Sequence, residues 1–348
     1  MWTRPRAGRA RRAWLDVSQR GGGGGDCGLL RVQHWAQHRV AGGAGRDARS
    51  GARDEAAARP RRGPRWGAAR QGRARGEGRG VIHPTAIVDR RAEIDPAAEI
   101  GAYAMVEGGV RIGPQCVIWP HAFIAAGTTL GRAVQVHPFA VVGHPPQDRA
   151  WKGAPSYTQV GDETLIREHV SVHRGTAPES TTVIGQRVFL MAAAHVAHNC
   201  VVEDDVVLAN GVLLAGHVRV GRRAFLGGNA VVHQFCRIGE LAMIGGGLRV
   251  PNDVPPFMMV GPGGVVGPNV VGLRRADFTS EQRAELRLAH RTLYRSGLLF
   301  RDAVQRVAET VRTEAGRRLV EFLQAPSKRG ITGLKRALAH PPAEDDAL

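Results

Sequence analysis

Cysteine is scarce in this 348-residue chain: Cys27, Cys116, Cys200 and Cys236 are the only four. Their wide spacing fits neither a disulfide framework nor a CxxC metal knuckle. Small, buried, reduced thiols are the expectation, as in a cytoplasmic protein. No run of 18 or more apolar residues exists, so no spanning helix and no stable membrane insertion are expected. The N-terminus lacks a compact apolar stretch before a small-residue cleavage site, which argues against a secretory signal. Lysine is absent from residues 1–80 altogether.

What the chain has in excess is positive charge, 48 Lys+Arg against 31 Asp+Glu for a net of +17. Such a balance ordinarily points to nucleic acid or an anionic surface. The charge is uneven, however. Residues 1–80 hold 19 Arg and 6 acids, a net of +13, while residues 81–348 hold 29 basic and 25 acidic residues, a net of +4. The first segment also carries 17 of the 46 glycines, Gly21 to Gly25 among them. It has no sustained helical or strand period and too little apolar surface to offset chain entropy. It reads as a disordered leader, or as a reading frame begun too far upstream, with Val81 as the first residue of the body. A nucleic-acid arm and a transit peptide are weaker readings of it, so nucleic acid is not an expected partner.

From residue 81 aliphatic side chains recur every six positions. Ile82, Val88, Ile94, Ile100, Val106, Ile112, Ile118, Ile124, Leu130, Val136 and Val142 form one run. Val160, Ile166 and Val172 continue its phase, and Ile184 through Val250 form a second. The position four after each is mostly small, as at Ala98, Cys116, Ala194 and Ala230. Neither a helix (3.6) nor a half-buried strand (2) has this period. Hexapeptide repeats do, and three of them make one triangular coil of a parallel β-helix. These 26 hexads imply eight or nine coils, a rod about 40 Å long at one strand spacing per coil.

Residues 144–158 and 175–182 break the pattern and read as loops ejected from the coil, where function tends to concentrate. The repeat stops at Pro251, Pro255 and Pro256, and a Gly/Pro-rich bridge covers 261–268. Thr279 with Gln282 fits a capping box, and 280–295 and 300–324 favour helix. The expected organisation is a leader over 1–80, a β-helix over 81–268 and a helical domain over 269–330. The chain frays from 326, and 331–348 is a tail.

Histidines occupy outward slots of the hexad: His173, His195, His198, His217 and His233. Spacings near 18 put His198, His217 and His233 in a rough column, with His195 near one corner. A lone histidine reads as surface, but a column suggests chemistry. One reading is zinc held by three histidines. The other is a neutral imidazole taking a proton from a hydroxyl. The tight His-x4-His spacing of zinc-binding β-helices is missing, so no metal is expected.

Around these residues stand His83-Pro84-Thr85-Ala86-Ile87-Val88, Pro146-Gln147-Asp148, Val172-His173-Arg174-Gly175-Thr176 and Ala194-His195-Val196-Ala197-His198. Leu214-Ala215-Gly216-His217-Val218, Val232-His233-Gln234-Phe235-Cys236, Gly272-Leu273-Arg274-Arg275 and Ser327-Lys328-Arg329-Gly330 follow in order. Over about 81–330 the chain resembles the UDP-N-acetylglucosamine O-acyltransferases of lipid A synthesis. The resemblance implies a left-handed parallel β-helix with a small C-terminal α-helical domain. It also implies a cytoplasmic homotrimer in a Gram-negative bacterium, with no cofactor. The partners implied are an acyl carrier protein bearing a 3-hydroxyacyl chain and UDP-N-acetylglucosamine, acylated on its 3-hydroxyl.

The same resemblance puts the general base at His198 and the oxyanion donor at Gly216. Sugar and phosphate contacts fall to Gln147, Asp148, His173, His195, His217, His233 and Gln234. Nucleotide contacts from a neighbouring subunit fall to Asn269 and Arg275, and acyl length to Gly246 with Met243. The chain departs from the family at Asn199, where an acid is usual, at Ala150 beside the loop aspartate, and at Val271 and Ala276. The glycine at 246 leaves the acyl groove open for a longer chain. The alternatives are N-acyl transfer by a related hexapeptide enzyme, a 3-amino sugar acceptor, or a structural rod. The leader is too rich in Gly and Arg for the N-acyltransferases' globular domain, and the ranked threonines of an ice-binding rod are missing.

Overall fold

The computed structural model describes residues 80–333. The expected leader, apart from Gly80, and the tail beyond residue 333 lie outside the described residues. Within them the chain winds as a left-handed parallel β-helix. Its strands, mostly two residues long, stack into three sheets of nine, eight and ten strands, which makes nine coils. The first face begins at Ile87–Val88, the second at Glu93–Ile94 and the third at Glu99–Ile100. Regular coils pair residues 18 apart, as Met105 with Phe123 and His195 with Leu213.

The period of six follows from this geometry. The hexad aliphatics point inward, and Ile100, Ile118, Ile124, Ile166, Leu190, Leu208 and Leu226 are fully buried. Each contributes about 2 kcal/mol of burial. The small slot two residues earlier also faces inward, and Ala104, Cys116, Ala194, Cys200 and Cys236 are sealed there. Ile82 differs from its peers in being half exposed, because it lies in the first coil and has neighbours on one side only.

Corners take two residues, the second usually in the left-handed region. Tyr103, Gln115, His121, Asn199, His217, Arg223 and Phe235 all have φ between 56° and 64°. Parallel strand crossovers are normally right-handed. Here the connection is only a corner, and a left-handed residue in it turns the chain onto the next face. Ordinary residues accept that cost, of order 1–2 kcal/mol. The glycine after many hexad aliphatics serves a different purpose. A Cβ on Gly221 would lie 2.6 Å from the backbone nitrogen of Glu240 on the next coil.

Both pattern breaks leave the rod at the corner between the first and second faces. The first lengthens the step from Val141 to Ser171 to 30 residues, and the second lengthens Ser171 to His195 to 24. The bridge over 261–268 forms an antiparallel hairpin instead of a plain linker, Met258–Gly261 against Gly264–Pro268. Four helices follow: α1 Val270–Arg275, α2 Ser280–Arg295, α3 Phe300–Thr310 and α4 Glu314–Gln324. The Thr279–Gln282 capping box forms. The helical stretch expected over 300–324 is broken at 311–313. There Glu285 accepts the Arg312 and Thr313 amides, and Thr313 caps α4. Phe257, Met258 and Leu241 at the rod's end join Leu273, Leu286, Leu293 and Leu319 in a second core.

The fray expected from residue 326 does not begin there. Asp253 N–H donates to the Gly330 carbonyl and Thr332 N–H to the Asp253 carbonyl, each at 2.8 Å. Asp253 itself is buried and paired with Arg237 at 2.7 Å. Residues 327–332 are therefore strapped across the last coil.

Gly221→Ala is expected to destabilise the rod by about 1–3 kcal/mol through overpacking against the next coil. Gly109→Ala meets nothing within 4 Å and is expected to cost no more than the left-handed conformation does. Urea unfolding of the two variants checks the difference.

Candidate active site at one corner of the rod

His198 and Asn199 form the corner below the two ejected loops. Asn199 adopts φ 58°, and its N–H donates to Thr182 Oγ1 at 2.8 Å. Its Oδ1 accepts the Thr176 N–H of the second loop at 3.0 Å. A backbone N–H can only donate, so the atom it meets is the amide oxygen. His198 Nδ1 faces that same oxygen at 3.0 Å. The hydrogen-bond network therefore assigns the proton to Nδ1 and leaves a lone pair on Nε2. The side chain of His198 is only 16% exposed.

Nε2 lies 3.7 Å from Asp148 Oδ2 in the first loop, too far for a direct hydrogen bond. The Ala150 N–H donates to Asp148 Oδ1 at 2.9 Å. That bond, outweighing burial, holds the carboxyl below the ordinary range, and the charges of His198 and His217 act in the same direction. Asp148 is thus an anion facing the imidazole. Lys152 does not join it: its Nζ donates to the Arg149 carbonyl within the loop.

Gly216 sits one coil on, in line with His198. A Cβ there would lie 2.5 Å from His198 Nε2 and 2.6 Å from Cε1, so the ring's position requires glycine. At other corners the equivalent N–H is capped by an acid, as Ala126 by Glu107, Gln186 by Asp204 and Arg222 by Glu203. At Gly216 the corresponding slots are Ala197 and Gln234. Its N–H has no acceptor among the described residues.

The expected column of His198, His217 and His233 is corrected by the register. His198 aligns with Gly216 and Gln234, whereas His217 aligns with Asn199 and Phe235. The 19- and 16-residue spacings each miss the 18-residue step, in opposite directions. His217 nevertheless meets His198 edge-on at 5.2 Å and stacks on Phe235 at 4.8 Å. His195 lies within a strand of the first face, not at a corner, and its Nδ1 is 2.8 Å from Ser171 Oγ. His173, only 6% exposed, packs edge-on against His195 at 4.8 Å.

Burial dominates the protonation of these rings. His195 is held below its ordinary value by desolvation first and by the charge of His198 second. His217 is lowered by desolvation, then by His198 and Lys328, against a small opposing pull from Asp148. Desolvation, with His195, His144 and His198 adding, pushes His173 down to about 4. The cluster is therefore kept mostly neutral.

Gln147, His233 and Gln234 are exposed near this corner. Asn269 and Arg275 lie apart from it, on α1. Asn269 caps that helix through Gly272 N–H and donates its amide to the Leu241 carbonyl. Its side chain therefore has a structural task in this chain. Arg275 is exposed in the last turn. Met243 is half-buried on the third face. Gly246 is exposed at the corner between the third and first faces, across the first face from His198. No group of three His, Cys, Asp or Glu among the described residues could hold a metal.

Sequence reasoning missed Thr176, Thr182, Ser171 and Phe235. A signal existed for Thr182, a polar residue in an inward slot that is mostly small and apolar, where threonine also stands at 128, 158 and 164. Nothing in the repeat marks Thr176, which a loop brings in.

Known proteins resemble this chain in sequence and fold. Residues 91–126 and 181–216 match the family model for bacterial transferase hexapeptides. Residues 253–332 match that for "UDP N-acetylglucosamine O-acyltransferase; domain 2". An acyl-[acyl-carrier-protein]–UDP-N-acetylglucosamine O-acyltransferase from Syntrophobacter fumaroxidans is 44% identical over 254 residues, covering 72% of this chain and 98% of that protein. One from Herminiimonas arsenicoxydans is 45% identical over 226 residues, covering 64% and 86%. Among solved structures, the UDP-N-acetylglucosamine O-acyltransferase of Moraxella catarrhalis is 38% identical with a TM-score of 0.69, covering 72% of this chain and 98% of that one. The Arabidopsis UDP-N-acetylglucosamine acyltransferase is 31% identical with a TM-score of 0.65, covering 72% and 99%.

His173 makes the fold sensitive to acid. Its native value of about 4 lies below the unfolded value of about 6.5. Between these limits the unfolded chain binds a proton that the native state refuses. Stability therefore falls as pH drops from about 6.5 to 4, by about 3 kcal/mol in all for this residue. His173→Gln is expected to flatten that slope in chemical unfolding measured at successive pH values. An unchanged slope would contradict the assignment.

Proposed function

The chain belongs to the UDP-N-acetylglucosamine O-acyltransferase family, and from that membership we propose how its own residues carry acyl transfer. The protein is an acyltransferase, with acyl carrier protein as the donor's carrier and UDP-N-acetylglucosamine as the acceptor. The finer reading is transfer of a 3-hydroxyacyl group to the sugar 3-hydroxyl, the first step of lipid A synthesis. The observation that carries the mechanism is the setting of His198, whose Nδ1 faces Asn199 Oδ1 and whose Nε2 faces Asp148 beside the Gly216 N–H, which has no acceptor among the described residues.

A sugar hydroxyl is a weak nucleophile near neutral pH, so a base must take its proton as the new bond forms. His198 Nε2 takes it while the sugar oxygen attacks the thioester carbonyl carbon. The Gly216 N–H donates to the oxyanion that develops on the carbonyl oxygen. Collapse expels the carrier's thiolate, which takes the proton back from the imidazolium. Nδ1–H stays on Asn199 throughout and fixes the ring. Asn199 is neutral and cannot balance the imidazolium. Asp148, 3.7 Å from Nε2, supplies the negative charge. His173, His195, His217, His233, Gln147 and Gln234 contribute to binding the sugar and its phosphates.

The acting unit is a homotrimer. Outward residues of the first face include Ile87, Met105, Leu213 and Val231, all exposed by 39% or more. The second face shows Glu93, Arg111, Gln159 and Arg219 instead. An apolar face beside a polar one suits lateral association of copies. Asn269 and Arg275, remote from His198 in one chain, would then serve a neighbour's site. The cytoplasm is the proposed location: Cys116, Cys200 and Cys236 are free and buried, as a reducing compartment favours. No helix among the described residues is long and apolar enough to cross a membrane.

Incubation with UDP-N-acetylglucosamine and a series of 3-hydroxyacyl carrier proteins tests the reading. His198→Ala is expected to lower transfer by about 10²–10⁴, and transfer at the unaltered rate would refute the base. Gly216→Ala, which forces the imidazole aside, is expected to lower kcat with little effect on the melting temperature. Gly246→Met is expected to shift donor preference to a shorter chain. Its Cβ would sit 3.1 Å from the Gly228 carbonyl, a contact the exposed corner can absorb.

A further inference from the structure

The edge that carries His198 does not end at His217. His217 stacks on Phe235, its planes 17° apart. The ammonium of Lys328 then lies 4.4 Å over the other part of this column, above the Phe235 ring. Lys328 arrives from the far end of the sequence, on the segment strapped over the last coil. The strap is held closely: Asn252 Nδ2 donates to the Arg329 carbonyl at 2.5 Å. Arg329 Nε donates to the Pro251 carbonyl, and Ser327 Oγ accepts the Arg329 and Gly330 amides. The ammonium is exposed, and no carboxylate among the described residues pairs with it.

A lone cation on an aromatic platform has a meaning in this setting. The edge from His198 to Phe235 offers imidazoles and the Gln234 amide, and Asp148 faces it with a carboxylate. Lys328 is the permanent positive charge next along the column. Both substrates bring phosphate: a diphosphate in the nucleotide sugar, and a phosphodiester in the arm that joins the thioester to its carrier. Each joins the reacting atoms through a chain of ordinary bonds. A phosphate at Lys328 would lie roughly three coil steps, about 14 Å, from the base.

We propose that Lys328 is a phosphate-binding residue of the acyl-transfer site, delivered to it by the C-terminal strap. The proposal rests on the assignment of the reaction centre to the His198 corner. A compact ammonium binds phosphate as a point charge, and Phe235 fixes it by a cation–π contact. The strap is therefore part of the site as well as of the fold.

Kinetics of the full chain test this with Lys328→Met, which keeps the stem over Phe235, and Lys328→Arg, which keeps the charge. Lys328→Met is expected to raise one KM about tenfold, the loss of one charge-assisted hydrogen bond. Its kcat and melting temperature should hold, and Lys328→Arg should restore most of the loss. Calorimetric titration with UDP and with 4′-phosphopantetheine runs in parallel. A raised KM for UDP-N-acetylglucosamine with weakened UDP binding supports the proposal and names the diphosphate. A raised KM for the acyl carrier protein with weakened phosphopantetheine binding supports it and names the arm. Unchanged KM values and unchanged binding of both probes would overturn it. An unaltered chain that binds UDP yet transfers no acyl group would count against the reaction assignment, and the titrations alone would then judge Lys328.

Discussion

Main-chain hydrogen bonds between parallel coils set an 18-residue step, and every side chain on this rod is placed by it. The hexad aliphatics face inward because three faces share one narrow interior. The same step brings His198, Gly216 and Gln234 into one line and Asn199, His217 and Phe235 into the next. A one-residue slip would bury the outward set and expose the core. The register is therefore as secure as the core, and the site inherits that security.

The two ejected loops add what a regular rod cannot. Both leave at the corner between the first and second faces, in the coils just before His198. One brings Asp148 to the Nε2 side of the ring, and the other brings the Thr176 N–H to Asn199. Polar residues in the coils that carry them depart from the interior pattern. Thr128, Thr158, Thr164 and Thr182 are fully buried in slots that elsewhere hold mostly Ala, Cys or Val. Thr182 is satisfied by the Asn199 N–H, and that bond ties the core to the ring. A rigid scaffold with loops added at one edge yields a preorganised base without any charged partner on Nδ1.

Much of this was legible in the residues. The sixfold recurrence of Ile, Val and Leu identifies the coil, because no other common element has that period. The prolines at 145, 146 and 155 mark the first loop, and Thr279 with Gln282 marks a helix start. The columns were not legible to the last residue. Counting 19 from His198 to His217 and 16 on to His233 treats near-multiples of 18 as equal, yet corner geometry separates neighbours that differ by one. The capping bonds of Asn269 appear only once α1 is seen to start there. The strap escaped notice because its bonds run from Asp253 to Gly330 and Thr332, nearly 80 residues apart, and its local composition reads as a fraying end.

The central claim is that His198 presents a free lone pair on Nε2 because Asn199 Oδ1 holds the proton on Nδ1. Nitrogen-15 spectra of histidine-labelled protein report this tautomer directly. The His198 signals are identified by their loss in His198→Gln. The account predicts a neutral His198 protonated at Nδ1, with Nε2 at the shift of an unprotonated ring nitrogen. A His198 protonated at Nε2 would contradict it, since that ring could not take the acceptor's proton from the side facing Asp148.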